Sequence, residues 1–158
     1  MVIIISEVKN YLTEQKLDYT ENQLGTMIPK EYRKFILQNN GGWPEPEGFD
    51  ITWHEHQKCG MHWQSSSVSR FLSIDAGQEA DFLKYNLITF KGRIPKDTIV
   101  IAHDPGGNLI LLAVSGEYSG KVLFWVKDYE VEEGEIPSYD NVGLLADNLV
   151  EFINKKLR

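Results

Sequence analysis

The sequence predicts an α+β fold, with an antiparallel-rich central sheet and helices at both ends of the chain packed against it. Two almost wholly apolar segments, residues 99–102 and 109–114, flank a short turn at 104–108 that contains proline and two glycines. Such apolarity is typical of strands buried on both faces, and so tight a turn makes the two strands antiparallel neighbours. Apolar residues that recur at helical spacing near both ends of the chain predict the helices.

Helical periodicity begins near the start of the chain, where Tyr11 and Leu12 fall on one face. Thr20 and Gln23 have the spacing of a capping box, which predicts a short helix that ends at Gly25. The short apolar run before Ser6 has no basic region ahead of it. We therefore expect that run to be part of the fold and not a signal peptide.

A further helix is predicted to start at Pro29, because proline fits the first helical position, where its missing N–H would have no partner. Tyr32 and Phe35 share one face of this helix at the i, i+3 spacing. Gly41 and Gly42 then allow the left-handed backbone conformation that stops a helix.

The middle of the chain is less regular. Residues 43–48 are expected to form a stiff surface loop, and the three serines at 65–67 a second loop. Alternation of apolar and polar residues predicts strands at 49–53 and 68–74. A helix is predicted over 78–87.

The last third of the chain holds the third central strand and a closing helix. Residues 122–126 form an apolar run that a short glycine-flanked turn joins to the preceding strand. Apolar residues at helical spacing predict a helix over 144–157, with Asp140 or Asn141 as its cap.

Length and composition are those of one globular domain over residues 1–158. Cys59 is the only cysteine, which excludes an intrachain disulfide, and no apolar run approaches the length of a membrane span. We therefore expect a cytoplasmic protein that does not associate with membranes. The net charge of −7 disfavours nucleic-acid binding and favours a basic protein partner.

Four short motifs occur in order along the chain: Ile28-Pro29-x-x-Tyr32-x-x-Phe35 with Asn40-Gly41-Gly42, then Ile101-Ala102-x-Asp104-x-Gly106-Gly107-Asn108, then Gly120-Lys121-Val122-x-Phe124-Trp125, and finally the segment 145–153. Together they resemble the SUKH superfamily, also called the Smi/Knr cell-wall-regulator-like family. The resemblance covers most of the chain from residue 20 onward.

This resemblance implies an immunity protein that neutralises a polymorphic toxin, in many cases a nuclease, by direct binding. It implies no enzyme activity, no catalytic residue and no cofactor, because the shared residues look like determinants of the fold. The residues expected to shape the fold are Pro29, Tyr32, Phe35, Gly41, Gly42, Asp104, Gly106, Gly107, Asn108, Phe124 and Trp125.

One cluster suggests a different chemistry. His54, His56, Cys59 and His62 lie within nine residues, and neutral imidazole and thiolate are good zinc ligands. The spacing matches no established zinc module, so a polar loop after a strand is the alternative explanation, and no metal site is predicted.

The best candidates for partner binding are acidic. Five carboxylates fall within eight residues after the last predicted central strand, where a loop at the end of the sheet could present them. Trp43 is added as a possible aromatic anchor. The predicted partner-binding residues are Trp43, Asp128, Glu130, Glu132, Glu133 and Glu135.

Three functions remain open from the sequence. The first is an immunity protein whose partner is a basic toxin domain encoded nearby. The second is a regulatory protein-interaction module with a partner that is not a toxin, as in the eukaryotic branch of the resembling family. The third is a metal-dependent enzyme built on the His54 to His62 cluster. The sequence leaves the oligomeric state and the toxin open.

Overall fold

The computed structural model describes residues 2–5, 12–77 and 79–158. Within these ranges the strands are β1 (Ile3–Ile5), β2 (Trp43–Glu45), β3 (Gly48–Asp50), β4 (Ser65–Ser67), β5 (Arg70–Phe71), β6 (Thr98–His103), β7 (Leu109–Ala113), β8 (Val122–Trp125) and β9 (Val142–Ala146). The helices are α1 (Glu14–Leu24), α2 (Lys30–Gln38), α3 (Phe82–Lys84) and α4 (Leu149–Glu151). The last two continue as wider turns over Tyr85–Thr89 and Phe152–Lys156.

Five of the described strands form the central sheet, in the order β5-β6-β7-β8-β9, and every neighbouring pair is antiparallel. All five residues of β7 and all four of β8 are buried. The α+β prediction and the three predicted central strands are therefore confirmed. Their apolar sequence leads to this position, because only a strand with neighbours on both sides and layers on both faces buries every side chain.

The strand β9 was not predicted, and the helix prediction over 144–157 is wrong in its first part. Residues 142–146 pair with β8, so the apolar run completes the sheet there. The helix begins only at Leu149, after Asn148, whose side chain accepts the N–H of Glu151 at 2.8 Å. Neither Asp140 nor Asn141 is the cap; Asn141 instead donates to the carbonyl of Val126 at 2.8 Å. A short apolar run fits the period of a strand as well as that of a helix. Here residues 142–146 become a strand because they supply the backbone partners for the edge of β8.

The first helix begins earlier than predicted. Thr13 is its cap and accepts the N–H of Lys16 at 3.2 Å, whereas the Thr20 hydroxyl donates to the carbonyl of Lys16 at 2.8 Å from inside the helix. The helix does end before Gly25, as expected. The predicted periodicity at Tyr11 lies outside the described residues.

Helices α1 and α2 are joined by one guanidinium. Arg33 of α2 contacts Glu14, Asp18 and Glu21 of α1 at 2.6, 3.0 and 2.7 Å. Glu21 also accepts the N–H of Ile28 at 3.1 Å in the connection between the helices. The charged hydrogen bonds raise the pKa of Arg33, so its positive charge is held on the acidic face of α1.

The Asn-Gly-Gly motif joins α2 to the edge of the sheet. The side chain of Asn40 accepts the N–H of Ile74 at 2.7 Å and donates to its carbonyl at 2.8 Å, in place of a strand partner. Gly41 and Gly42 have φ values of 89° and 99°, as the sequence predicts. The helix itself ends at Gln38, so the two glycines turn the chain and do not cap the helix directly.

We expect Gly41→Val to destabilise the protein by more than Gly134→Val. Both glycines have nearly the same φ, 89° and 90°, so both variants pay the left-handed strain of about 1–2 kcal/mol. A Cβ at Gly41 would also lie 2.9 Å from the Cβ of Ser73, whereas a Cβ at Gly134 meets nothing within 4 Å. Urea denaturation measures both. Equal losses of stability would show that the close approach to Ser73 contributes nothing.

Four further predictions need correction in the middle of the chain. Residues 43–45 form β2 and pair with β1, so the predicted 43–48 loop is wrong there, and the serines at 65–67 form β4 opposite β3 instead of a loop. The predicted strand 49–53 overlaps β3, which ends at Asp50, and the predicted strand 68–74 is reduced to β5. The strands at 43–45 and 65–67 form through backbone pairing with β1 and β3. The sequence periodicity of a segment does not show such pairing, so these strands were not predicted.

The predicted helix over 78–87 starts later. It begins at Phe82, after Asp81, whose carboxylate accepts the N–H of Lys84 at 2.9 Å, and residue 78 lies outside the described residues. Asn86 on the following wide turn accepts the N–H of Val100 at 2.8 Å and donates to its carbonyl at 3.1 Å. This side chain therefore continues the edge of β6 where β5 has ended.

The core forms one cluster on the central sheet. Phe49 packs against Phe124 and Phe152 with ring centroids 5.7 and 5.8 Å apart. In the same cluster Tyr32 packs against Phe82 at 5.9 Å, and its buried hydroxyl has no hydrogen-bond partner within the described residues. Burial raises the pKa of Tyr32, so this residue acts as a large apolar group.

Candidate functional site

The carboxylates singled out in the sequence form an exposed segment after β8, here called the acidic segment (residues 128–135). It starts with a single helical turn over Lys127–Tyr129 and continues as a loop. Four of its carboxylates are exposed to solvent, namely those of Asp128, Glu132, Glu133 and Glu135. The loop is therefore able to present negative charge to a partner.

Glu130 has a different role. Its carboxylate receives two hydrogen bonds from Arg93, at 2.8 and 3.0 Å, and the Arg93 guanidinium lies 4.7 Å from the centroid of the Phe90 ring. These bonds to Glu130 raise the pKa of Arg93 against the opposing effect of partial burial. Glu130 thus fastens the acidic segment to the body of the protein, and its part in partner binding stays a prediction.

An aromatic patch that the sequence analysis did not identify lies beside the acidic segment. It consists of Met61, His62, Trp63 and Tyr129, with Trp63 packed edge-on against Tyr129 at 5.6 Å and against His62 at 5.8 Å. The exposed fractions of Met61 and Tyr129 are 79% and 43%. A tyrosine inside a run of carboxylates was the available signal, but its neighbour Trp63 is brought there only by the fold.

Trp43 does not join this surface. It lies on β2 next to the β5 edge of the sheet, with the guanidinium of Arg70 over its ring at 4.4 Å. The acidic segment follows β8, three strands away, which corresponds to about 14 Å across the sheet. The part of Trp43 in partner binding remains a prediction, and Trp43 would belong to a separate surface.

The four weak metal candidates are distributed over a loop and the core. His54 and His56 are exposed and stack at 5.7 Å, and His62 belongs to the aromatic patch, whereas Cys59 is only 2% exposed. Burial raises the pKa of the Cys59 thiol, which disfavours the thiolate that a metal would need. Within the described residues there is no group of three or more His, Cys, Asp or Glu side chains that could hold a metal ion.

A pocket large enough for one side chain lies next to the aromatic patch, and we call it the anchor pocket. It has a volume of about 220 Å³. Trp53, whose indole N–H donates to the carbonyl of Trp63 at 2.6 Å, separates it from the aromatic patch. Its lining residues are Thr52, Trp53, His54, Gln57, Tyr118, Lys121, Leu123, Tyr139, Val142, Gly143 and Leu144.

Comparison with known proteins agrees with these motifs. The model of the SMI1 / KNR4 family (SUKH-1) matches residues 11–155, which is most of the chain. The chain belongs to the SUKH-1 family. It is also similar to the SPbeta prophage-derived uncharacterized protein YokK of Bacillus subtilis (strain 168), with 23% identity over 150 residues, which cover 89% of this chain and 72% of the relative.

SUKH-1 membership confirms the resemblance drawn from the sequence. The family is known for immunity-protein domains and is generally one of non-enzymatic interaction modules. In this SUKH-1 chain the motif residues have structural roles: Asn40 binds the Ile74 backbone, Gly41 lies against Ser73, and Asp104 organises the β6–β7 turn. The candidate binding surface lies elsewhere, at the acidic segment, the aromatic patch and the anchor pocket.

Among the described residues, no helix has both the length and the apolar character needed to cross a membrane.

Proposed function

We propose that this protein is an immunity protein that neutralises a cognate toxin by direct binding, and that the toxin domain is basic and encoded nearby. SUKH-1 membership is the observation that carries this proposal, since the family is known for immunity-protein domains. The surface supports the basic character of the partner, because the net charge is −7 and four carboxylates of the acidic segment are exposed.

The arrangement of this surface suits protein binding. The Arg93–Glu130 pair holds the acidic segment at a fixed point, which reduces the entropy lost when the loop docks. Lys91, Gly92 and Arg93 line one side of a groove of about 470 Å³, and residues 130–135 line the other. Tyr129 and Met61 offer apolar contact area beside the carboxylates, and aromatic anchors with a charged surround are typical of protein interfaces.

Neutralisation would then need no chemistry by this chain. If the toxin is a nuclease, carboxylates placed opposite its phosphate-binding Lys and Arg side chains would occupy the site as a phosphate does. Long-range attraction would speed the encounter, and the aromatic contacts would slow dissociation.

Co-expression with the neighbouring toxin gene tests the proposal directly. We expect the native protein to restore growth of cells that produce the toxin and to form a complex with the purified toxin domain. Failure to rescue and to bind would remove the immunity function for that pair.

We expect the double variant Glu132→Lys/Glu133→Lys to lower the association rate for the toxin domain at least tenfold at low salt, with a smaller change in the dissociation rate. The reason is that long-range charge acts mainly on the encounter, with a range of about 8 Å at physiological ionic strength. Stopped-flow or surface-based kinetics over a range of salt concentrations measure both rates.

The matched control is Glu45→Lys/Glu47→Lys. These two carboxylates are also exposed, and the change in net charge is the same, but they lie by β2, near the β5 edge of the sheet. If both double variants slow association equally, only the total charge matters and the acidic segment is not the docking surface.

A further inference from the structure

We propose that the anchor pocket receives one apolar side chain, aromatic or large aliphatic, from a basic segment of the partner. The inference rests on the proposed function, because it takes the partner to be a basic protein. It adds a specific point of insertion, which neither the family nor the acidic segment supplies.

The size and lining of the pocket fit one side chain. Its volume is about 220 Å³, and an apolar cavity of about 150 Å³ is enough to hold benzene. Leu123, Leu144 and the ring of Trp53 supply apolar walls, and Thr52 and His54 are exposed lining residues at its mouth. Interface residues that bind most strongly are typically large side chains that fill a pocket of this kind.

The walls are held in place without a ligand. Gln57 is buried and donates to the carbonyls of Val142 and Tyr139 at 2.8 and 3.0 Å, and its side-chain oxygen accepts the N–H of His54 at 2.8 Å. At Gly143 a Cβ would lie 2.5 Å from Ile51, so glycine lets the loop that carries Trp53 pack directly on β9. A preformed pocket binds without the cost of ordering its walls.

Charge near the pocket is compatible with a basic segment. The described residues that line it include no carboxylate, and the single lysine among them, Lys121, is paired with Asp147 at 3.0 Å. The attraction for Lys or Arg residues that flank an inserted side chain therefore comes from the neighbouring acidic segment and from the net charge of −7.

The pocket is also continuous with the proposed docking surface. Trp53 forms its wall and donates to the carbonyl of Trp63, and Trp63 packs against Tyr129 at the start of the acidic segment. One partner segment would therefore be able to cover the aromatic patch and place a side chain in the pocket.

Peptides test the pocket without the toxin. We expect the peptide acetyl-Lys-Lys-Trp-Lys-Lys-amide to shift the methyl NMR signals of Leu123 and Leu144 in a saturable way. The same peptide with Ala in place of Trp should bind at least tenfold more weakly, and so should the Trp peptide with Glu in place of Lys. Absence of saturable shifts at these methyl groups, or equal shifts with the Ala peptide, would overturn the proposal.

A variant that blocks the mouth of the pocket provides a second test. Thr52→Trp places a ring at the mouth and should abolish the methyl shifts, whereas the matched control Thr89→Trp changes another exposed threonine, outside the pocket lining, and should leave them unchanged. A folded Thr52→Trp protein that binds the Trp peptide like the native protein would contradict the inference. If Thr52→Trp does not fold, the titration of the native protein still decides.

The two proposals fail separately. Peptide binding at the pocket without rescue from the toxin would remove the immunity function and leave the pocket. Rescue without peptide binding would remove the pocket and leave the immunity function.

Discussion

Phe124→Ala is expected to lower the free energy of unfolding by about 3–5 kcal/mol, which is the usual cost of removing a buried phenylalanine ring. The Phe124 side chain is fully buried in β8, and its ring packs edge-on against Phe49 at 5.7 Å. Phe49 in turn contacts Phe152, so the cavity would loosen the contact between the sheet and the C-terminal helical segment. Equilibrium urea denaturation followed by tryptophan fluorescence measures the loss.

Tyr19→Ala is the matched control. This aromatic residue lies on α1 and is 56% exposed, so its removal should change stability by about 0.5 kcal/mol or less. A loss below about 0.5 kcal/mol for Phe124→Ala would show that residue 124 lies at the surface, and the sheet described above would then be wrong.

Asp104→Ala is expected to cost about 3 kcal/mol, because it leaves the buried backbone and side-chain N–H donors of Asn108, and two further, less buried donors, without a partner. The Asp104 carboxylate accepts the N–H groups of Gly106 and Asn108 at 2.9 and 2.7 Å, and also the side-chain amide of Asn108 at 3.0 Å. Ser66 of β4 donates to it at 2.8 Å, so this carboxylate joins the β6–β7 turn to the β3–β4 pair. Urea denaturation gives the loss, and hydrogen exchange at the amides of Gly106 and Asn108 should speed up.

Asp104→Asn and Asp128→Asn refine this test. Asn keeps the shape of Asp104 but replaces one acceptor oxygen with an NH₂ group that faces donors, so most of the loss should persist. Asp128 is exposed, and the same change there should be nearly neutral. If Asp104→Asn were as stable as the native protein, the negative charge would not contribute to the turn.

The central strands could be predicted because their side chains are apolar without interruption. Residues 109–113 are buried on both faces, and no other environment accepts such a run at a tight turn. The helix after Pro29 could be predicted for a local reason as well, since proline and the Gly41-Gly42 pair act through their own backbone angles.

Elements that depend on a partner strand were missed. The serines of β4 have no apolar pattern, and β9 has an apolar run that also fits a helix. In both cases a neighbouring strand supplies the backbone hydrogen bonds, and periodicity in one segment carries no information about that neighbour. The side chains of Asn40 and Asn86 extend strand edges for the same reason, and a single asparagine in the sequence does not show which backbone it will meet.

The candidate site divides in the same way. The sequence alone established the acidic segment, because charge is a property of composition and a dense run of carboxylates stays exposed to avoid the cost of desolvation. Only the tertiary structure showed that Glu130 is bound by Arg93, that Trp43 lies at another edge of the sheet, and that Trp63 contacts Tyr129.

The anchor pocket also exists only in the folded chain. Its walls come from residues 52–57, 118–123 and 139–144. These segments are brought together by the pairing of β8 with β9 and by the bridge from Thr52 to Leu144. Contacts between residues so distant in the chain depend on the register of strands, and that register is decided by the packing of the whole core.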